Sequence, residues 1–191
     1  MRLVVATAVA IAVTVTQPTA AAATIVVASE RHGEAIDIRA GVLLNADVAT
    51  AWRVLTDYSR YSDFIPDLRL SRVAARRGST VTVEQSGDAA LWLFKLPLDV
   101  TFEIIELPPG SLQSRAVAGG LRALTSSYTL TPATAGTRLD YSGRIEPGFA
   151  LFGAIEQAAV ERNVARQFQA LADEIERQGA TARAKTTAGV K

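Results

Sequence analysis

The 191-residue chain is 49% hydrophobic and 20% charged, an ordinary globular composition with length for one sizeable core. Its formal net charge of +1, with only the C-terminal tail locally basic, excludes an electrostatic case for a nucleic-acid partner. Cysteine is absent, which removes disulfides, thiolate nucleophiles and cysteine metal sites together.

The chain opens with the three parts of a secretory leader. Arg2 is the basic start, LVVATAVAIAVTV is the apolar run, and TAAAA after Gln17-Pro18 offers a cleavage site near Ala22 or Ala23. A spanning helix needs about 20 apolar residues, more than this run supplies, so residues 1–23 are expected to be a cleaved signal peptide. The expected location is then outside the cytoplasm, in a periplasm. Residues 24–33 read as a polar linker and contain His32, the only histidine.

From residue 34 the pattern becomes regular. In EAIDIRAGVLL, Ile36, Ile38, Ala40, Val42 and Leu44 share one side while Asp37 and Arg39 share the other, as in a half-buried strand. Asn45 is placed to cap a helix carrying Val48, Ala51, Trp52 and Leu55 on one face, and YSRYSDFIP forms a second short helix closed by Pro66. Two strands follow, LRLSRVAAR and STVTVEQSG, the latter with Val81, Val83 and Gln85 on one side. From Ala89 to Leu107 the even positions through Ile104 are apolar, Trp92, Phe94 and Leu98 among them, with Glu106 continuing the row, which predicts a long strand interrupted by a bulge near Pro97. Pro108-Pro109-Gly110, Gly119-Gly120 and Ala135-Gly136 then punctuate three more strands, the last holding Leu139, Tyr141 and Ile145 on one face.

The longest helical pattern runs from Pro147 to Gln178, with Gly179 as its stop signal. Val160, Val164, Phe168, Leu171 and Ile175 recur at steps of three and four, one apolar stripe on an α-helix. Traced towards the N-terminus, the stripe continues through Glu161, Gln157, Ala154 and Gly153, which are polar or small. Either the buried face shifts there to Leu151, Ile155 and Ala158, or this half covers a cavity. Short turns make the strands antiparallel, and one such sheet with an apolar face needs a cover that only this helix is long enough to supply. Residues 179–191 carry no apolar periodicity and are expected to be disordered.

One histidine rules against a Ser-His-Asp triad or a histidine metal site, and no phosphate loop or nucleophile elbow is present. What stands out is a set of polar residues on apolar faces: Gln85 beside Val81 and Val83, Ser126 and Tyr128 between Leu124 and Leu130, Tyr141 beside Leu139, and Gln157 and Glu161 on the helix stripe. Together with Trp92 and Phe94 of the even row they form a candidate apolar small-molecule site with a few converging polar groups. Each tyrosine is equally readable as a core ring whose hydroxyl reaches water.

The phrases ADVATAWRVLTDYSRYSDFIPDL and AGGLRALTSSYTLTPATAGTRLDYSGRIEP, with the final helix, resemble the START-like (SRPBCC, Bet v 1-like) superfamily, in particular its polyketide cyclase/dehydrase and coenzyme-Q-binding branch. The resemblance covers about Glu34 to Gln178. It implies an α+β helix-grip fold, an antiparallel sheet of about seven strands round the C-terminal helix with two short helices after the first strand. It also implies a cavity for a lipid, quinone or polyketide, with transient membrane contact and without a cofactor. The expected function is an exported carrier of an apolar molecule that catalyses no reaction. Two alternatives stand beside it: a cyclase or dehydratase using Glu161 as acid or base with Tyr128 or Tyr141, and an envelope interaction module whose cavity is collapsed.

Overall fold

Two-residue alternation dominates the middle of the chain, and it yields a single antiparallel sheet. A computed structural model describes residues 23–91, 94–147 and 153–188; the expected leader up to Ala22 lies outside them. β1 (Val26–His32) and β2 (Ala35–Leu44) precede α1 (Val48–Leu55), a 3-10 turn (Tyr58–Arg60) and α2 (Tyr61–Phe64). Then come β3 (Leu68–Arg77), β4 (Thr80–Leu91), β5 (Phe94–Leu107), β6 (Ser111–Gly119), β7 (Leu121–Ala133), β8 (Gly136–Pro147) and α3 (Gly153–Ala188). The eight strands are ordered β1-β2-β8-β7-β6-β5-β4-β3, so the meander from β3 to β8 returns to pair with β2. This is the helix-grip arrangement, with the two short helices after β2.

β2 shows how the pattern sets the faces. Ile36, Ile38, Ala40, Val42 and Leu44 are buried towards α3, while Asp37 pairs with Arg144 on the solvent side. Against this face α3 packs Phe168, Leu171, Ala172 and Ile175, and α1 adds Ala51, Val54 and Leu55. Each large side chain in this cluster contributes roughly 1.5–3 kcal/mol through burial. The C-terminal half of α3 is therefore the firmly packed half.

Four expectations are corrected. Residues 24–33 are no linker: Val26 to His32 pair in unbroken register with Gly41 to Ala35, and Gly33, at φ +64°, turns the hairpin. That strand makes the count eight, not seven. The cap of α1 is Asp47, whose carboxylate accepts from the Thr50 amide at 2.6 Å, and not Asn45. The alternation from Ala89 to Leu107 is not one strand, because Ala89 to Leu91 of β4 pair antiparallel with Leu96 to Phe94 of β5. Pro97 sits within β5 opposite Asp88.

The fourth correction concerns the helix end. α3 continues through Gly179 to Ala188, so residues 179–188 of the tail expected to be disordered are helical. A β-carbon on Gly179 would lie 3.0 Å from Ala46 Cβ, so glycine here permits close packing of helix on loop and does not stop the helix. Arg183 extends the contact by donating to the Asn45 carbonyl at 2.9 Å. Leu151 and the side chain of Ile155, the alternative buried face, lie outside the described residues.

Candidate functional site

Between the N-terminal half of α3 and the sheet lies a cavity of about 250 Å³. Ile38 of β2, Leu98, Val100 and Phe102 of β5, Leu121 and Leu124 of β7, and Tyr141 and Ile145 of β8 form its sheet wall. α3 supplies Ala159, Val160, Asn163, Val164 and Gln167, and the side nearest β3 and β4 is made by Pro66, Asp67, Leu68, Gln85, Gly87 and Asp88. Small-molecule sites span roughly 300–1,000 Å³, so this one suits a single ring or a short chain.

Of the residues singled out from the sequence, Gln85 and Tyr141 line this cavity. The Gln85 amide nitrogen also donates to Ser71 Oγ at 3.2 Å. Tyr141 is held from behind by Phe168 (ring centroids 5.5 Å apart) and Tyr128 (4.9 Å), and its hydroxyl bonds to Ser126. Ser126 in turn shares a 2.7 Å hydrogen bond with Ser114. A β-carbon on Gly143 would lie 2.3 Å from the Tyr141 hydroxyl oxygen, so glycine leaves the space that oxygen occupies. Tyr128 stacks on Phe168, centroids 6.1 Å apart and planes 12° from parallel, and belongs to the core behind the cavity. Burial raises both tyrosine hydroxyls above the ordinary phenol range, against a smaller opposing effect of Ser126 on Tyr141. They are neutral groups, donors and acceptors but no bases.

Gln157 and Glu161 are not cavity residues. Glu161 Oε1 accepts from the Ser29 amide at 3.1 Å and from Ser29 Oγ at 2.7 Å, and Gln157 donates to the Ser29 carbonyl at 2.8 Å. All three bonds tie α3 to β1. Glu161, expected as acid, base or ligand group, here accepts two bonds from the edge strand β1. Trp92 and the side chain of Phe94 lie outside the described residues.

Among the polar residues of the cavity, Asp67, Asp88, Asn163 and Gln167 were missed in the sequence, the last two on α3. Four apart, these two share the face beside Val160 and Val164. Their signal was present as a polar pair flanking the apolar stripe, but any solvated helix face carries the same pattern. At the rim, Asp67 pairs with Arg166, Asp88 pairs with Arg69 at 2.5 Å, and the Asp67 carbonyl accepts from the Asp88 amide at 2.8 Å.

Glu106, which continued an apolar row in the sequence, is an inward carboxylate that accepts from Tyr58 at 3.1 Å and from Arg76 at 2.7 and 3.1 Å. His32 sits 3.6 Å from Glu30 and 3.5 Å from Asp37, away from the cavity lining. Among the described residues no group of three or more His, Asp or Glu could hold a metal ion.

The family described as polyketide cyclase / dehydrase and lipid transport matches residues 35–178. A STAR-related lipid transfer protein from Xanthomonas axonopodis superposes with a TM-score of 0.66 at 17% identity, over 79% of this chain and 93% of that one. A protein from Thermus thermophilus gives 0.64 at 16% identity, over 76% and 98%. Zhui, an aromatase/cyclase from a Streptomyces species, gives 0.61 at 16% identity, over 81% and 96%. At these identities the likeness establishes the fold alone. No curated relative matches the chain in sequence.

Proposed function

Since the chain belongs to the polyketide cyclase/dehydrase and lipid transport family, we propose that it is a binding protein or carrier for an apolar small molecule, a lipid or isoprenoid quinone, held between the sheet and α3. The observation that carries this reading is the cavity itself, apolar on its sheet wall and dotted with a few neutral polar groups. Sequence comparison favours a lipid as readily as a cyclase substrate. The side chains favour binding: the cavity's hydroxyl is a neutral tyrosine, and its two carboxylates, Asp67 and Asp88, are neutralised at the rim by arginines. An acid or base poised for catalysis near neutral pH would need a different setting. Export through the leader, with transient contact at a membrane where such ligands reside, is part of the same reading.

One preparation tests it. Protein purified from the cell envelope should have an intact mass beginning near Ala23 or Thr24, and its organic extract should contain an apolar molecule by mass spectrometry. In Val160→Phe the added ring fills the cavity from α3, and the extract should be empty while the fold persists. An equally empty extract from wild type, or no binding of the neutral dye Nile red, would sink the carrier reading. Full-length chain in the cytoplasm would remove export from it.

A further inference from the structure

The cavity is not polar at random. Apart from Tyr141 of β8, the hydrogen-bonding side chains that line it lie on α3 or on the side nearest β3 and β4. Three carboxamides meet there: Gln85 from the sheet, and Asn163 and Gln167 from successive turns of α3. Their capacity is largely unspent among the described residues. Gln85 uses one N–H on Ser71, Asn163 uses its oxygen in a long 3.4 Å bond from Arg166, and Gln167 makes no hydrogen bond. A carboxamide both donates and accepts, so this corner satisfies a neutral head group of either sense.

Charge at the same corner is already balanced. The charged side chains among the described lining residues are Asp67 and Asp88, both acidic, and no lysine or arginine is among them. Arg166 and Arg69 stand outside the lining, each already engaged with one of these carboxylates. An anionic head would enter a largely apolar space whose nearby cations, Arg166 and Arg69, are already paired. Burying such a charge unpaired costs far more than burying a hydrogen-bonded neutral group.

We infer that the cavity selects ligands with a neutral, hydrogen-bonding head, such as an alcohol, amide or quinone carbonyl, and rejects carboxylates and phosphates of the same chain length. This deepens the carrier reading and rests on it. The selectivity resides in Gln85, Asn163 and Gln167, and in the engagement of the two nearby arginines by Asp67 and Asp88.

Displacement of Nile red at pH 7 by octanol, octanamide and octanoate tests the inference, because these probes share a chain and differ in the head. Octanol and octanamide should displace the dye at concentrations at least about tenfold below octanoate, the penalty for an unpaired buried charge. Gln167→Lys, at a partly exposed position that makes no hydrogen bond, supplies the missing cation and should reverse the order. Octanoate equal to or better than octanol on wild type would overturn the selectivity while leaving the carrier reading intact. So would a Gln167→Lys variant that is folded by circular dichroism, binds Nile red and keeps the wild-type order. Failure of Nile red itself to bind wild type would instead overturn the carrier reading, and the selectivity with it.

Discussion

Removing the contact between α3 and β1 should destabilise the fold without touching ligand affinity. Ser29→Ala deletes the 2.7 Å hydroxyl bond to Glu161 but keeps the 3.1 Å amide bond, whereas Glu161→Ala deletes both. Hydrogen bonds to a charged group contribute about 1.5–3 kcal/mol, and partial burial puts these at the lower end. Ser29→Ala should therefore cost about 1–1.5 kcal/mol and Glu161→Ala about 2–3 kcal/mol. The double mutant should show a coupling of about 1 kcal/mol, the hydroxyl bond alone. Urea titrations supply the three differences, and hydrogen exchange at the β1 amides should rise in the same order. Neither residue lines the cavity, so octanol affinity should stay within about twofold of wild type, the scatter expected of uncoupled sites. A coupling below about 0.3 kcal/mol would show that the contact does not hold the strand. A folded Glu161→Ala variant that loses octanol binding would return Glu161 to the ligand site.

Phe168 is 4% exposed between Tyr128 and Tyr141, so Phe168→Ala should cost about 3–5 kcal/mol in a denaturant titration. A loss below about 1 kcal/mol would mean that the ring is not a packing centre. Glu174 accepts from Arg177 at 2.7 Å and from Gln178 at 2.8 Å, and chiefly the Arg177 bond holds its pKa at about 2 against 4.5 for the free group. A depressed carboxylate pKa stabilises the fold fully above about pH 4.5, and that contribution is lost as pH falls towards 2, on the order of 3 kcal/mol at most. Glu174→Gln should flatten the stability profile in this window; an unchanged acid slope would assign it to other groups.

Periodicity alone determined a good deal of this protein. The inward row of β2, the strand order through three glycine- or proline-marked turns, and the stripe Phe168, Leu171 and Ile175 each follow from which side chains must leave water together, and such rows are local in the chain. From them an antiparallel sheet covered by the last helix was readable, as was the place of Gln85 and Tyr141 on its inner face. Other features depended on partners remote in sequence. Gly179 looks like a helix stop until Ala46 is brought against it, and the packing contact overrides the local signal.

The same holds at the site. Ser29 is a polar residue in a short, weakly patterned segment, and Glu161 is a polar residue on an apolar stripe. Each contradicts its own element when read alone, so the strand was taken for a linker and the glutamate for a ligand group. Brought together, 132 positions apart, they satisfy one another. Once β1 occupies that side of α3, the cavity passes to the neighbouring face with Asn163 and Gln167. Which polar residue meets a ligand and which meets the protein is settled by hydrogen-bond partners across the fold, and periodicity carries no record of those partners.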